Sequence, residues 1–345
     1  MQSIHSKHRL CYISRNYRGV ESSGNKAKTD NEDTLVSLGA VNLGLKRSYH
    51  KSKISTFFLD LMGIMKYSLT VRPNDIIVLQ YPVKKYFTFI CTVAKMRGAK
   101  TISLIHDLGS FRRKKLTVAE EIKRLSFSDY VIASNEKMKE WLSSHGFSNE
   151  LGALGLFDYR SSSESPTDHT SFPCRRVVYA GALARRKNSF ILDMSSIIQS
   201  YQLHIYGNRD GLNGIKDSRD IIFHGFSPAD DFIESVDADF GLVWDGDSLD
   251  SCTGSFGAYL QYNSPHKVSF YLRGGLPIII WRKAAVADIV QKEGIGICID
   301  SIDELNTILP NITDEQMQRM RDNVKRVSDR LKNGYYLSTA INKAI

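Results

Sequence analysis

Short apolar runs rich in β-branched residues recur along the chain, and each closes on polar residues. In the first half they are LCYISRN (10–16), DIIVLQYP (75–82), KTISLIHDLG (100–109) and YVIAS (130–134). Apolar on both faces, they read as strands buried in a parallel sheet. Between them the apolar spacing lengthens to that of amphipathic helices, at roughly 54–70, 83–97, 117–126 and 135–145. A stretch rich in Ser, Thr and Pro follows, YRSSSESPTDHTSFP (159–173), and reads as a linker. The alternation then restarts with RRVVYAG (175–181), YQLHIYG (201–207), DIIFHGF (220–226), DFGLVWDG (239–246), LPIIIW (276–281) and GICID (296–300). The tail is helical from a start at Thr313 to Glu315, with Met317, Met320, Val324, Val327 and Leu331 on one face. The pattern predicts two α/β domains, 1–158 and 174–330, each a parallel sheet covered by helices. The final helix, 331–345, is expected to pack back on the first domain. Two such domains leave a cleft between them, with ligands bound outside the carboxyl ends of the strands.

Composition agrees with a globular protein: of 345 residues, 42% are hydrophobic and 24% charged. The five cysteines lack CxxC spacing and read as reduced, buried thiols. No apolar run approaches the ~20 residues of a membrane span. The first residues lack the apolar core of a signal peptide, so a cytoplasmic chain is expected. Charge changes the picture more. Residues 1–160 carry 26 Lys and Arg against 14 Asp and Glu, whereas residues 161–345 carry 20 against 23. A basic first half faces something anionic. Nucleic acid is not expected, because no zinc-finger spacing, aromatic RNP-type strand or heptad-bearing basic region is present. The inner face of a membrane is the better partner. YPVKKYFTFICTVAKMRGAK interleaves Lys84 and Lys85 with Tyr86, Phe87 and Phe89, and FRRKK (111–115) follows a strand. Much of that aromatic run is expected to be core.

Candidate chemistry lies just after the strands. After VVYAG come Arg185, Arg186 and Lys187, cations at a strand-to-helix turn where a diphosphate would sit. After DFGLVWDG a long polar connection leads through Tyr262 and Asn263 to Pro265, which suits a helix's first turn. His266 and Lys267 then stand at that helix's positive end, and a lysine there is unfavourable unless an anion is near. In the first half, His106 and Asp107 end a buried strand and are candidates for a general base. A strand-end cap with a packed histidine is the plainer alternative. Asn16 and Arg18 follow the first strand, and Asp33 is a weaker candidate for the base, equally explained as part of a solvated helical turn.

The run PHKVSFYLRGGLPIII resembles the PxKxxEYLAxGxPVI motif of GT-B glycosyltransferases, whose helix holds the nucleotide diphosphate and whose glutamate holds the ribose. The longer run GLVWDGDSLDSCTGSFGAYLQYNSPHKVSFYLRGGLPIIIW, with YAGALARRKNSF and SLIHDLGSFR upstream, is similar to bacterial β-1,6-galactofuranosyltransferases of O-antigen assembly. It is similar also to their relatives that transfer glucose from UDP-glucose. The likeness runs from about Asp75 to the C-terminus, while residues 1–74 match in layout alone. It implies a GT-B fold, two Rossmann-like domains facing across a cleft. It also implies a UDP-sugar donor, a lipid-linked glycan acceptor, no cofactor and no metal, although DGD (245–247) looks like the DxD of another glycosyltransferase fold. UDP-sugar would be bound by Asn16, Arg185, Lys187, Asp245, Tyr262, Asn263, His266 and Lys267, and Asp107 with His106 would supply the base. Phe270 stands in the glutamate's slot, so either Asp245 or Asn263 holds the ribose or the helix is rotated. A homo-oligomer stays open.

Overall fold

The computed structural model describes residues 8–18, 23–83, 85–112, 116–166, 175–215 and 218–345. The chain divides into two compact units, residues 1–154 with 334–345, and residues 155–333. Each is built on a six-stranded parallel sheet.

In the first unit the sheet order is β2-β1-β3-β4-β5-β6, with β1 Leu10–Tyr12, β2 Val41–Asn42, β3 Ile76–Tyr81, β4 Lys100–Ile105, β5 Tyr130–Ala133 and β6 Glu150–Ala153. β3 and β4 are buried almost throughout, as their unbroken apolar runs require. The first strand is shorter than its apolar run, because the chain leaves the sheet after Tyr12 and bridges at Asn16 to Ser48. Right-handed crossovers put the helices Lys53–Thr70 and Phe87–Met96 on one face of the sheet, and Ser23–Ser37 on the other. The last helix, Tyr335–Ala344, packs against Ser23–Ser37 and β6. Gly334 allows the break before it with φ 71°, and a side chain there would collide with Thr34.

The second sheet has the order β12-β11-β10-β7-β8-β9. Its strands are β7 Arg175–Ala180, β8 Tyr201–Tyr206, β9 Ile221–Gly225, β10 Phe240–Val243, β11 Ile278–Trp281 and β12 Gly296–Ile299. β10 and β11 are wholly buried. The helix Asp314–Lys332 starts in a capping box that Thr313 closes with Gln316, the third helical residue, rather than with Glu315.

Residues 159–166 of the expected linker belong to the body of the second unit. Tyr159 and Ser163 are buried there, and the buried Arg273 guanidinium donates to the carbonyls of Ser161 and Ser163. The rest of that stretch lies outside the described residues, as do Lys84 and residues 113–115 of FRRKK.

Candidate functional site

The second sheet reverses its strand order between β7 and β10, where an open α/β sheet leaves room for a ligand. After β7 the chain turns at Gly181 (φ 135°), and a Cβ there would stand 3.8 Å from Cε of Lys267. One helical turn follows, Arg185–Asn188. Asn188, fully buried, ties that turn together: Oδ1 accepts from the Ala184 amide at 2.7 Å, and Nδ2 donates to the Tyr179 hydroxyl at 2.9 Å. The loop after β10 is laced to it. The Gly246 amide donates to the Lys187 carbonyl at 2.6 Å, and the Phe190 amide donates to the Gly246 carbonyl at 3.3 Å.

This lacing brings Lys187, Asp245 and Lys267 together. Asp245 Oδ1 lies 3.8 Å from Lys187 Nζ and 3.9 Å from Lys267 Nζ, and accepts from the Tyr179 hydroxyl at 3.2 Å. Lys267, on the first turn of the helix His266–Arg273, sits 3.7 Å from the centre of the Tyr179 ring. Its buried ammonium has no hydrogen-bond partner among the described residues. Burial, and then the Lys187 charge, push its pKa down to about 7 against the pull of Asp245. Two cations sharing one carboxylate leave surplus positive charge beside a helix N-terminus, which suits an anion.

Arg185 is exposed, and Arg186 lies over the Phe256 ring at 5.4 Å. His266 stacks on Tyr159 with ring centres 4.9 Å apart. Tyr262 and Asn263 are half-buried just ahead of the helix, and the buried Asn263 Oδ1 has no partner among the described residues. Phe270 packs in an aromatic cluster, stacked on Phe232 with ring centres 4.6 Å apart and tilted against Tyr159 at 5.7 Å. Of the DGD carboxylates, Asp245 faces the two lysines and Asp247 accepts from the Thr253 hydroxyl.

In the first unit the strand order reverses between β1 and β3. His106 follows β4, its Nε2 2.9 Å from Gln80 Oε1 and 3.3 Å from Asn31 Nδ2. Asp107 is half-buried beside it. The loop they begin is held by Glu121, a fully buried carboxylate that accepts from the amides of Gly109 and Ser110 and from the Tyr81 hydroxyl, each at 2.8 Å. Asn16 is spent on its own unit. It donates to the His50 carbonyl and to Thr56 Oγ1, each at 2.8 Å, and accepts from the Ser48 hydroxyl and the His50 amide. Both amide atoms of Asn16 are thus engaged within its own unit, where they clamp the loop at Ser48 and His50. Asp33 is half-exposed and paired with Arg47 at 2.7 Å.

Its neighbour Glu32 had drawn no attention. It is buried, and it accepts from Tyr17 Oη at 2.6 Å, Ser14 Oγ at 2.9 Å and Arg47 Nε at 2.8 Å. Burial raises its pKa although all three hydrogen bonds oppose the rise. Tyr179, Asn188 and Glu121 were missed as well. A core tyrosine, a loop asparagine and a helix-face glutamate carry no signal of their own in sequence.

The family model of the glucosyltransferase 3-like N-terminal domain matches residues 10–156, and that of the C-terminal domain matches residues 177–344. The β-1,6-galactofuranosyltransferase WbbI of Escherichia coli (strain K12) is 30% identical over 332 residues, covering 94% of each chain. Glucosyltransferase 3 of Streptococcus gordonii is 24% identical over 292 residues, 83% of this chain and 82% of that protein. Among solved structures, the apo form of the lipopolysaccharide outer core galactosyltransferase WaaB has the same GT-B fold. Its TM-score is 0.62 at 14% identity, over 98% of this chain and 100% of that one.

Proposed function

The chain belongs to the glucosyltransferase 3-like family, and on that premise we propose that it transfers galactofuranose from UDP-galactofuranose, in β-1,6 linkage, to a glucoside-terminated glycan. The acceptor would be lipid-linked, in surface polysaccharide assembly at the inner face of a membrane. The observation that carries the donor is the 30% identity to a galactofuranosyltransferase across 94% of both chains.

In this reading Lys187, Lys267 and the start of the helix His266–Arg273 hold the diphosphate, with Arg185 at the mouth of the turn. Asn263 and His266 line the approach, and Asn263 brings an acceptor atom without a partner among the described residues to the nucleoside. Phe270 fills the ribose-glutamate slot by packing, which leaves Asp245 or Asn263 to meet the ribose. Asp107, oriented beside His106, takes the proton of the acceptor hydroxyl as its oxygen bonds to the anomeric carbon. The bond from that carbon to the diphosphate breaks, and the two lysines stabilise the departing UDP. The leaving charge is met by ammonium groups, so turnover is expected to survive excess EDTA. Loss of activity restored by Mg²⁺ would overturn that arrangement.

A second reading, glucose from UDP-glucose, is favoured by the family description and by the streptococcal relative. A panel of UDP-sugars offered with a glucoside acceptor, with the product analysed by mass spectrometry and linkage analysis, separates the two. Galactofuranosyl product is expected, and turnover of UDP-glucose alone would establish the second reading.

A further inference from the structure

The helix Lys53–Thr70 wears its apolar face outward. Thr56, Gly63, Ile64 and Tyr67 turn to the first sheet. Ile54, Phe58, Met62, Met65 and Leu69, spaced by one or two turns, line the opposite side and are 55% to 80% exposed. Phe57 is exposed beside them.

The helix Phe87–Met96 lies alongside. Tyr67 Oη donates to the Ile90 carbonyl at 2.8 Å, Arg97 donates to the Ser68 carbonyl at 3.4 Å, and Lys85 Nζ stands 5.1 Å from the Phe57 ring centre. It adds Phe89 and Met96, both exposed, to the same surface. Isolated exposed apolar side chains need no explanation, but a ridge of this length on a folded unit marks a contact surface.

Charge names the partner. Residues 51–100 hold nine Lys and Arg against two Asp and Glu. Both acids are occupied, Asp60 by Arg15 at 3.8 Å and Asp75 by Arg9 at 2.6 Å. Of the cations in this stretch, Lys53 and Lys66 lie on the helix itself, Lys85 stands over Phe57 and Arg97 reaches Ser68, so the ridge carries positive charge. A second copy docked face to face would set those cations against themselves. An anionic surface would accept them while the phenylalanine and methionine side chains enter its apolar layer. Among the described residues no helix is long and apolar enough to cross a membrane, so such a helix would lie along one.

We propose that the outward face of Lys53–Thr70, with Phe89, Met96 and the flanking lysines, docks on a membrane of anionic phospholipid. The inference is independent of which sugar is transferred.

Flotation of the full chain with phosphatidylcholine vesicles, with and without phosphatidylglycerol, tests it. Binding is expected to the anionic vesicles and to weaken as salt rises. Phe58→Ser with Leu69→Ser should reduce it about tenfold or more, and Lys85→Glu with Lys95→Glu should do the same. Both variants change exposed side chains, so the thermal melt and turnover on a short soluble acceptor should stay as in the parent. Equal binding to neutral and anionic vesicles, or none to either, overturns the proposal. So does an oligomer in sedimentation velocity that Phe58→Ser with Leu69→Ser dissociates while vesicles are ignored, which would assign the face to a second copy.

Discussion

At the carboxyl edge of the second sheet, Lys187 and Lys267 share one oxygen of Asp245 from 3.8 and 3.9 Å, beyond ordinary hydrogen-bond reach. At the same edge of the first sheet, Glu32 takes three hydrogen bonds of 2.6 to 2.9 Å, and Glu121 closes on two amides and a hydroxyl. Both regions bury charge where a strand ends. The saturated carboxylates fix backbone and loops, whereas the undersatisfied ammonium keeps its capacity for something that arrives later. Burial alone does not separate structural from binding charge, but the count of satisfied hydrogen bonds does.

That contrast can be broken at several points. The largest effect is expected where the first unit is read as chemical rather than structural. Asp107→Asn should lower turnover by about 10²–10⁴-fold with UDP affinity unchanged. Near-parental turnover in steady-state assays would make Asp107 a strand-end cap. Next, Glu32→Ala should cost about 3 kcal/mol in urea unfolding, because it strands three donors around a buried site. A loss of activity at unchanged stability would move Glu32 into the reaction.

Lys267→Met should do the reverse. UDP affinity by calorimetry should fall by about 1.5–3 kcal/mol, with uridine much less affected, while the melting temperature holds or rises. The smallest effect is in pH. Lys267 titrates at about 7 in the folded chain and higher when unfolded, so the share of charged lysine that an anion meets falls as pH rises above that value. Affinity for a UDP-sugar should be flat below pH 7 and fall above it, by at most about tenfold per unit, and Lys267→Arg should flatten the curve. Between about pH 7 and the ordinary lysine value the unfolded chain holds the extra proton, so this group's contribution to stability rises with pH.

Strands such as β3, β4, β10 and β11 were legible because they are apolar on both faces, a pattern that little else produces. The helix Ser23–Ser37 was not, since its buried residues include Thr29, Asp30, Asn31, Glu32 and Thr34, held by hydrogen bonds rather than by apolar burial. β2 has only two residues, and β6, Glu-Leu-Gly-Ala, is as long as β10 and β11 but has no apolar run and is not buried. In Lys53–Thr70 the periodicity was plain but its direction was not, because a stripe of apolar residues does not say which side faces the sheet. The strand-end rule pointed to Lys187, Asp245 and Lys267, which the fold brings together. It could not find Asn188, whose work depends on a loop closure visible only once β7 and β10 are neighbours.

The return of the chain at Gly334 orders events during synthesis. The last helix belongs to the unit built from the first 154 residues, with Leu337 and Ile341 fully buried in it. A ribosome therefore releases the whole second unit before the first can be completed. Until then, part of the surface of Ser23–Ser37 and β6 that this helix covers stays open to water and to other chains. A chain that ended at Asn333 would carry the whole second unit and an unfinished first one, so chaperone binding and proteolysis should concentrate on the part of the protein that was made earliest.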